Sequence, residues 1–451
     1  MNIGLIALLI IVGIVVGAIL TRRCTEFLVL GSIVGAIFLF GQNFMTEWLE
    51  ILQNVCADNV WLILVCGLFG SLIALLQESK GSLGFSKLIS KFCNTERKTL
   101  LTTFILGILI FVDDYLNVLS IGVCMKGVYD KRKIPRESLA FMLDSTGAPV
   151  CVLLPFSTWA VFFSSIFMEE KSVQDLGYSS AMDAYCSTIP FMFYPIIILI
   201  IVFLFAVGIM PKIGAMKKAY RRVEETGKVY SDVSKKYNHD ERKGFIEDGN
   251  ILDFAIPMII LVAIAVITSD LLLAVVIAII SCILLYIPRK IIPISEFLNV
   301  AIKGFCDMMP IFFMLMSALT LAEITSQLKL TDFLVDVLNP VLTGSLFPVI
   351  TFLLVSVLAF VTGSNWGMSA VVVPIVFPLG AAVGANPLLI MAAVVSGGAF
   401  GSHACFYTDS TLLASTGAGI DNFEHATSQV PYVMIAAGLS AIGFLVAGFV
   451  V

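Results

Sequence analysis

Apolar runs close to 20 residues dominate the chain, at residues 3–20, 59–77, 186–210, 251–268, 271–288 and 431–451. A helix of about that length crosses the hydrocarbon core of a bilayer, so each run predicts a membrane span. Other apolar stretches are interrupted by polar groups. Residues 99–125 are broken at Asp113, Asp114, Tyr115 and Asn117, and residues 345–383 at Thr362, Gly363, Ser364, Asn365 and Trp366. Two more breaks fall at residues 144–149 and 401–411, where Asp144, Ser145 and Thr146 recur as Asp409, Ser410 and Thr411.

Composition turns these runs into a fold class. With 59% hydrophobic and 13% charged residues over 451 positions, the chain reads as an all-α polytopic membrane protein. The first run has no basic residue before it and is followed by Arg22 and Arg23, which predicts a first span rather than a cleaved leader. Ten cysteines stand singly, without metal-ligand spacing, and read as free buried thiols. The net charge of −5 decides little, because the placement of Lys and Arg matters more.

Basic residues gather at Arg22 and Arg23, 80–98, 126–136, 212–250, and Arg289 with Lys290. The positive-inside rule puts these segments in the cytoplasm and the poorly basic segments 42–58 and 169–183 outside. Residues 99–125 then have cytoplasmic flanks on both sides and are expected to form a re-entrant hairpin, with its irregular tip sheltered by protein or water. The second half repeats the pattern upside down. A shift of 251 positions carries Asp113 to Ser364 and Ala148 to Ala399. This predicts an inverted-topology repeat. Residues 1–211 form the first repeat with hairpin 99–125, residues 212–250 a cytoplasmic linker, and residues 251–451 the second repeat with hairpin 345–383. Each repeat has about five transmembrane helices plus one re-entrant hairpin, and both termini lie outside a cell membrane, a prokaryotic inner or plasma membrane.

Ionisable side chains inside a span are costly and mark ion pathways, and matched interrupted segments point to a transport site. The candidate site is therefore Asp113, Asp114, Asn117, Asp144, Ser145, Thr146, Thr362, Gly363, Ser364, Asn365, His403, Asp409, Ser410 and Thr411, with Asp113, Asp114, Asp144, Ser364 and Asn365 holding sodium. Two adjacent carboxylates in a poorly solvated place cannot both ionise easily. Sodium and protons would compete for them and move in opposite directions. Blander readings stand beside these. Asp113, Asp144 and Asp409 fit helix caps, residues 363–365 fit a turn, Trp366 fits packing, and His403 fits either a proton path or a hydrogen-bonded core. His425 and Glu424 are expected on a solvated surface. No HExxH, GxSxG, phosphate-binding glycine loop or metal cluster is present in the sequence, so no enzyme and no cofactor are expected beyond transported Na+ and H+.

The segments FVDDYLN (111–117), DSTGAPVCVLLPFSTW (144–159), TGSNWG (362–367) and SGGAFGSHACFYTDSTLLAST (396–416), with His425, Gln429, Pro431 and Tyr432, resemble the NhaC-type sodium/proton antiporters of the ion transporter superfamily over nearly the whole chain. The resemblance implies an elevator-type transporter, a homodimer in which a transport domain moves against a scaffold, exchanging external protons for internal sodium. Some relatives exchange carboxylates or carry amino acids. Ser402 stands where the family usually has an Asp, and aromatic bulk follows at Phe406 and Tyr407, which favours an organic substrate as the alternative. The expected partners are small ions or a small-molecule substrate and the lipid bilayer, with no nucleic acid. A channel is the rival from another class.

Overall fold

The computed structural model describes the chain except residues 1–2, 22, 82–91, 239–248, 269, 331–332, 334–342, 364 and 407. Among the described residues every regular element is helical. Helices α1 (Ile3–Thr21), α2 (Cys24–Phe40), α3 (Phe44–Asp58) and α4 (Val60–Glu78) open the chain. A hairpin of α5 (Glu96–Leu109) and α6 (Asp114–Lys131) follows. Thr95 caps α5 through the Lys98 amide at 3.3 Å, and Asp113 caps α6 through the Leu116 amide at 3.1 Å. The next segment is broken into α7 (Arg136–Thr146), α8 (Ala148–Leu153) and α9 (Thr158–Met168). Pro149 has no N–H with which to continue the ladder past Gly147, and the pieces on either side of residues 154–157 are bent by 44°.

Short α10 (Lys171–Gln174) leads to α11 (Ala181–Thr188) and α12 (Phe193–Ala206), then to amphipathic α13 (Gly214–Thr226), which ends at left-handed Gly227. The second half contains α14 (Ile251–Thr268), α15 (Leu271–Tyr286), α16 (Ile294–Asp307) and α17 (Met309–Gln327). A second hairpin, α18 (Phe347–Thr362) and α19 (Asn365–Ala382), breaks at Gly363, whose φ of +65° suits a residue without a Cβ. The chain ends with α20 (Pro387–Ala404), α21 (Asp409–Ala418) and α22 (Asn422–Val450).

Helices α1–α4 pack mainly with α14–α17, while both hairpins and both broken helices pack with α12 and α22. In the first group α4 and α16 approach so closely that a Cβ on Gly70 would lie 2.3 Å from the Gly304 carbonyl oxygen. In the second group α6 crosses α21 at Gly122 and Gly417, where a Cβ on Gly122 would lie 2.8 Å from the Gly417 Cα. Small residues let helix backbones meet in lipid, where apolar side chains gain little by leaving the hydrocarbon. Large apolar side chains remain on the outside, among them Ile259 and Ile267 of α14 and Ile442 and Phe449 of α22. Five helices among the described residues are long and apolar enough to cross a membrane, or seven if each bent pair is one span. The protein is a helical, multi-pass membrane protein.

The structure adds three details to the sequence pattern. The run 186–210 is not one helix: α11 and a 3-10 turn meet α12 at a bend of 54°, with Pro190 inside the turn. The stretch 304–325 divides at Met308, where α17 starts with Pro310 near its N-terminus. The polar linker is docked rather than loose. Arg222 of α13 donates two hydrogen bonds to Glu137 at 2.7 and 2.9 Å, Ser234 donates to Glu424 at 2.7 Å, and Asn238 donates to the Gly419 carbonyl at 2.9 Å.

Candidate functional site

At the first hairpin break Asp113 and Asp114 are buried, at 4% and 6% exposure, and neither forms an ion pair among the described residues. Asp113 does cap α6, and its other oxygen accepts a longer hydrogen bond from the Thr158 hydroxyl at 3.4 Å. Capping and ion binding are compatible here, because the cap uses one carboxylate oxygen. Asp114 lies against the α7/α8 break: a Cβ on Gly147 would sit 3.6 Å from the Asp114 Cβ. Asn117 pins three strands of backbone at that point. Its amide nitrogen lies 2.7 Å from the Gly107 and Ile110 carbonyl oxygens and 3.2 Å from that of Thr146, satisfying carbonyls that the helix ends leave unpaired.

One turn back along α7, Asp144 is fully buried and does not cap a helix. Ser410 donates to one of its oxygens at 2.7 Å, and His425 and Gln429 donate to the other at 3.0 and 2.7 Å. Gln429 also donates to the His403 carbonyl at 2.7 Å. The His403 ring bridges Ser145 at 3.0 Å and Tyr194 at 2.8 Å. One carboxylate and two imidazoles thus share a hydrogen-bonded cluster that joins α7, α12, α20, α21 and α22. Such a cluster has the components of a proton relay. Thr146 instead bonds back to the Met142 carbonyl at 2.8 Å.

His425 therefore corrects the surface expectation: it is fully buried, because α22 begins at Asn422 and carries it inward one turn later. Glu424, on the next face, turns to Ser231 and Ser234. Asp409 is exposed and accepts a hydrogen bond from the Tyr115 hydroxyl at 3.1 Å. Thr411 meets Thr408 at 2.9 Å within the cap of α21. The repeated tripeptides thus differ in use: the first gives the buried acid Asp144, the second gives its partner Ser410.

At the second hairpin break, Ser364 lies outside the described residues. Thr362 bonds back to the Leu358 carbonyl at 2.7 Å. Asn365 is buried, and neither atom of its amide has a hydrogen-bond partner among the described residues. The hydroxyls of Ser369 and Ser396 are likewise buried and unpartnered, and a Cβ on Gly398 would lie 2.8 Å from the Asn365 carbonyl oxygen and 3.3 Å from the Ser369 hydroxyl. Buried polar groups are nearly always satisfied, so this cluster invites a ligand. The rings of Trp159 and Trp366, 4.9 Å apart, connect the regions of the two breaks, and Trp366 also packs on Phe162 at 4.5 Å. Between the two helix groups lies a cavity of about 280 Å³ lined by Asp58, Glu169, Glu170 and Glu323.

Tyr194, Ser369, Ser396 and Gln429 are absent from the sequence-derived site. Tyr194 lies in a continuous apolar run and gives no signal there. Gln429 gave one, because it is among the residues that carry the family resemblance.

Buried acids, broken helices and a lipid-facing exterior define a membrane transporter. The Na+/H+ antiporter family matches residues 150–449, and the chain belongs to that family. It is 26% identical to an uncharacterized protein of Haemophilus influenzae, across 96% of this chain and 88% of that one. It is 30% identical to a malate-2H(+)/Na(+)-lactate antiporter of Bacillus subtilis, over only 23% of this chain and 22% of that one. Among solved structures, MtrF of Neisseria gonorrhoeae, described with a class of antimetabolite efflux pumps, aligns with a TM-score of 0.59 at 15% identity, covering 95% of this chain and 94% of that one. That likeness is one of fold.

Proposed function

We propose that the protein is a secondary active transporter that exchanges protons for sodium by alternating access. Asp113, Asp114 and Asp144 bind cation or proton, and Thr362, Ser364 and Asn365 complete the site from the other hairpin. The observation that carries this reading is the pair Asp113 and Asp114, buried with no ion pair among the described residues. Uncompensated charge at such depth is expensive, and a bound cation or a shared proton removes the cost. On this reading residues 1–211 and 251–451 are inverted repeats joined by a cytoplasmic linker, and the group containing the hairpins moves against α1–α4 and α14–α17 in a homodimer in the cell membrane.

One observation favours a second reading. The local match to a malate/lactate antiporter, together with the unpartnered amide and hydroxyls at Asn365, Ser369 and Ser396, suits coupled exchange of a small organic acid. The test is an external sodium pulse applied to proteoliposomes carrying an internal pH indicator. Exchange raises the lumenal pH without any added solute. Silence until malate or lactate is present moves the assignment to the organic acid. Sodium flux that ignores the proton gradient, at rates beyond a carrier cycle, identifies a channel.

A further inference from the structure

A second large cavity, of about 570 Å³, lies far from the acids in sequence, where the N-terminus of α5, the C-terminus of α12 and the amphipathic helix α13 come together. Four basic residues line it, Arg97, Lys212, Lys217 and Arg221, against two acids, Glu96 and Glu224. Lys212 is committed: it pairs with Glu96 at 3.4 Å and lies over the rings of Phe205 and Tyr220 at 4.5 and 4.6 Å. Arg97, Lys217 and Arg221 make no ion pair among the described residues. The Tyr220 hydroxyl, on the same lining, is buried, with the Ser138 hydroxyl and the Glu96 carboxylate as its polar neighbours. Positive charge in excess, on basic side chains without ion pairs, beside a hydroxyl that can turn to a stronger acceptor, is the feature of an anion site.

The surroundings say which anion. The two helices that open into the cavity are apolar, and their outward side chains, Ile105 and Leu109 on α5 and Ile200 and Phe203 on α12, are exposed. In a membrane those side chains face acyl chains. Helix α13 buries its apolar face, Met216, Ala219 and Val223, on the protein and presents Lys217, Lys218 and Arg221 beside the cavity. A basic pocket between spans at the membrane surface recognises anionic headgroups.

We propose that this cavity binds the phosphate of an anionic phospholipid from the surrounding leaflet, with Arg97 and Arg221 contacting the phosphate and the Tyr220 hydroxyl donating to it. The lipid would tie α13, and through the Arg222–Glu137 pair the helix bearing Asp144, to the membrane surface. The site is independent of which solute the protein carries.

The test uses the full chain in nanodiscs of phosphatidylcholine, alone or with phosphatidylglycerol, comparing wild type with R97Q/R221Q and with K218Q, whose lysine is on α13 but does not line the cavity. Two readouts are taken, the unfolding temperature and the lipid retained in native mass spectrometry. Wild type should be stabilised by phosphatidylglycerol and retain it. R97Q/R221Q should lose that stabilisation and retain roughly 30-fold less lipid, about fivefold for each charge. K218Q should behave as wild type. An undiminished response in R97Q/R221Q overturns the proposal, as does an equal loss in K218Q, which would mean a diffuse basic surface. Inorganic phosphate reproducing the full stabilisation in phosphatidylcholine discs would assign the cavity to a free anion and overturn the lipid assignment. A misfolded double variant is recognised by its unfolding temperature in pure phosphatidylcholine, and R221Q alone, at an exposed position, then carries the comparison.

Discussion

At the break between α5 and α6 the chain buries two carboxylates, and at the break between α18 and α19 it buries an amide. The acidic break is tied into the fold: Asp113 caps a helix, Asn117 holds three carbonyl oxygens, and Asp144 close by has three donors. The amide break is less tied, since Asn365, Ser369 and Ser396 have no hydrogen-bond partners among the described residues. The two regions are both helix pairs joined at a break and, on the proposed function, divide the work. One side holds charge in a structured network, and the other offers neutral oxygens whose bonds are available to a ligand. Such a division has a measurable consequence: substitutions at the acidic side should cost stability and transport together, and those at the amide side transport alone.

The largest effect is expected at Asp144. Replacing it with Ala strands the donors of Ser410, His425 and Gln429 in a dry interior, at about 3–5 kcal/mol in all. The unfolding temperature in detergent should fall steeply, and sodium-driven proton flux should vanish. A stable D144A protein would mean that the network contributes little. Next is Asn117→Ala, which frees three buried carbonyls and should cost about 2–3 kcal/mol by the same assay. The sharpest contrast comes from Asn365→Ala. With no hydrogen bond to lose among the described residues, its stability should change by less than about 1 kcal/mol, whereas transport at subsaturating solute should drop about tenfold for a lost ligand worth about 1.4 kcal/mol. Equal losses of stability in N117A and N365A would erase the distinction drawn here.

The smallest effect lies outside the spans. Burial, with repulsion from Glu169 added, pushes Glu170 from 4.5 to about 8. The folded protein then holds a proton that the unfolded chain has released. The stability gained from that proton is complete below pH 4.5 and lost as pH rises to about 8. Glu170→Gln should flatten the decline in unfolding temperature across that window, and an unchanged slope would assign the decline to other groups.

Much of this architecture is legible in the residues because lipid imposes simple rules. Backbone must be helical where it meets hydrocarbon, so apolar runs give helices, and the polar interruptions at Asp113 and Gly363 fall where α6 and α19 begin. Pairings across the bundle are less legible. Nothing local says that Ser410 reaches Asp144 across 266 positions, or that Tyr194 turns to His403. His425 looked solvated because Glu424 and nearby polar residues surround it in sequence, yet a helix sends neighbours to different faces, and one face of α22 is the interior. The bend beside Pro190 and the helix break before Pro310 shorten stretches that composition alone reads as continuous.

The central claim is that the acidic hairpin carries the exchanged charge. The decisive measurement is sodium-triggered change of lumenal pH in proteoliposomes, with wild type, Asp113→Asn, Asp114→Asn and Asn365→Ala reconstituted to equal density. The account expects a response in wild type, none in either aspartate variant, and in N365A a response that returns at higher sodium. Persistence of full sodium-coupled proton movement in both aspartate variants would contradict it.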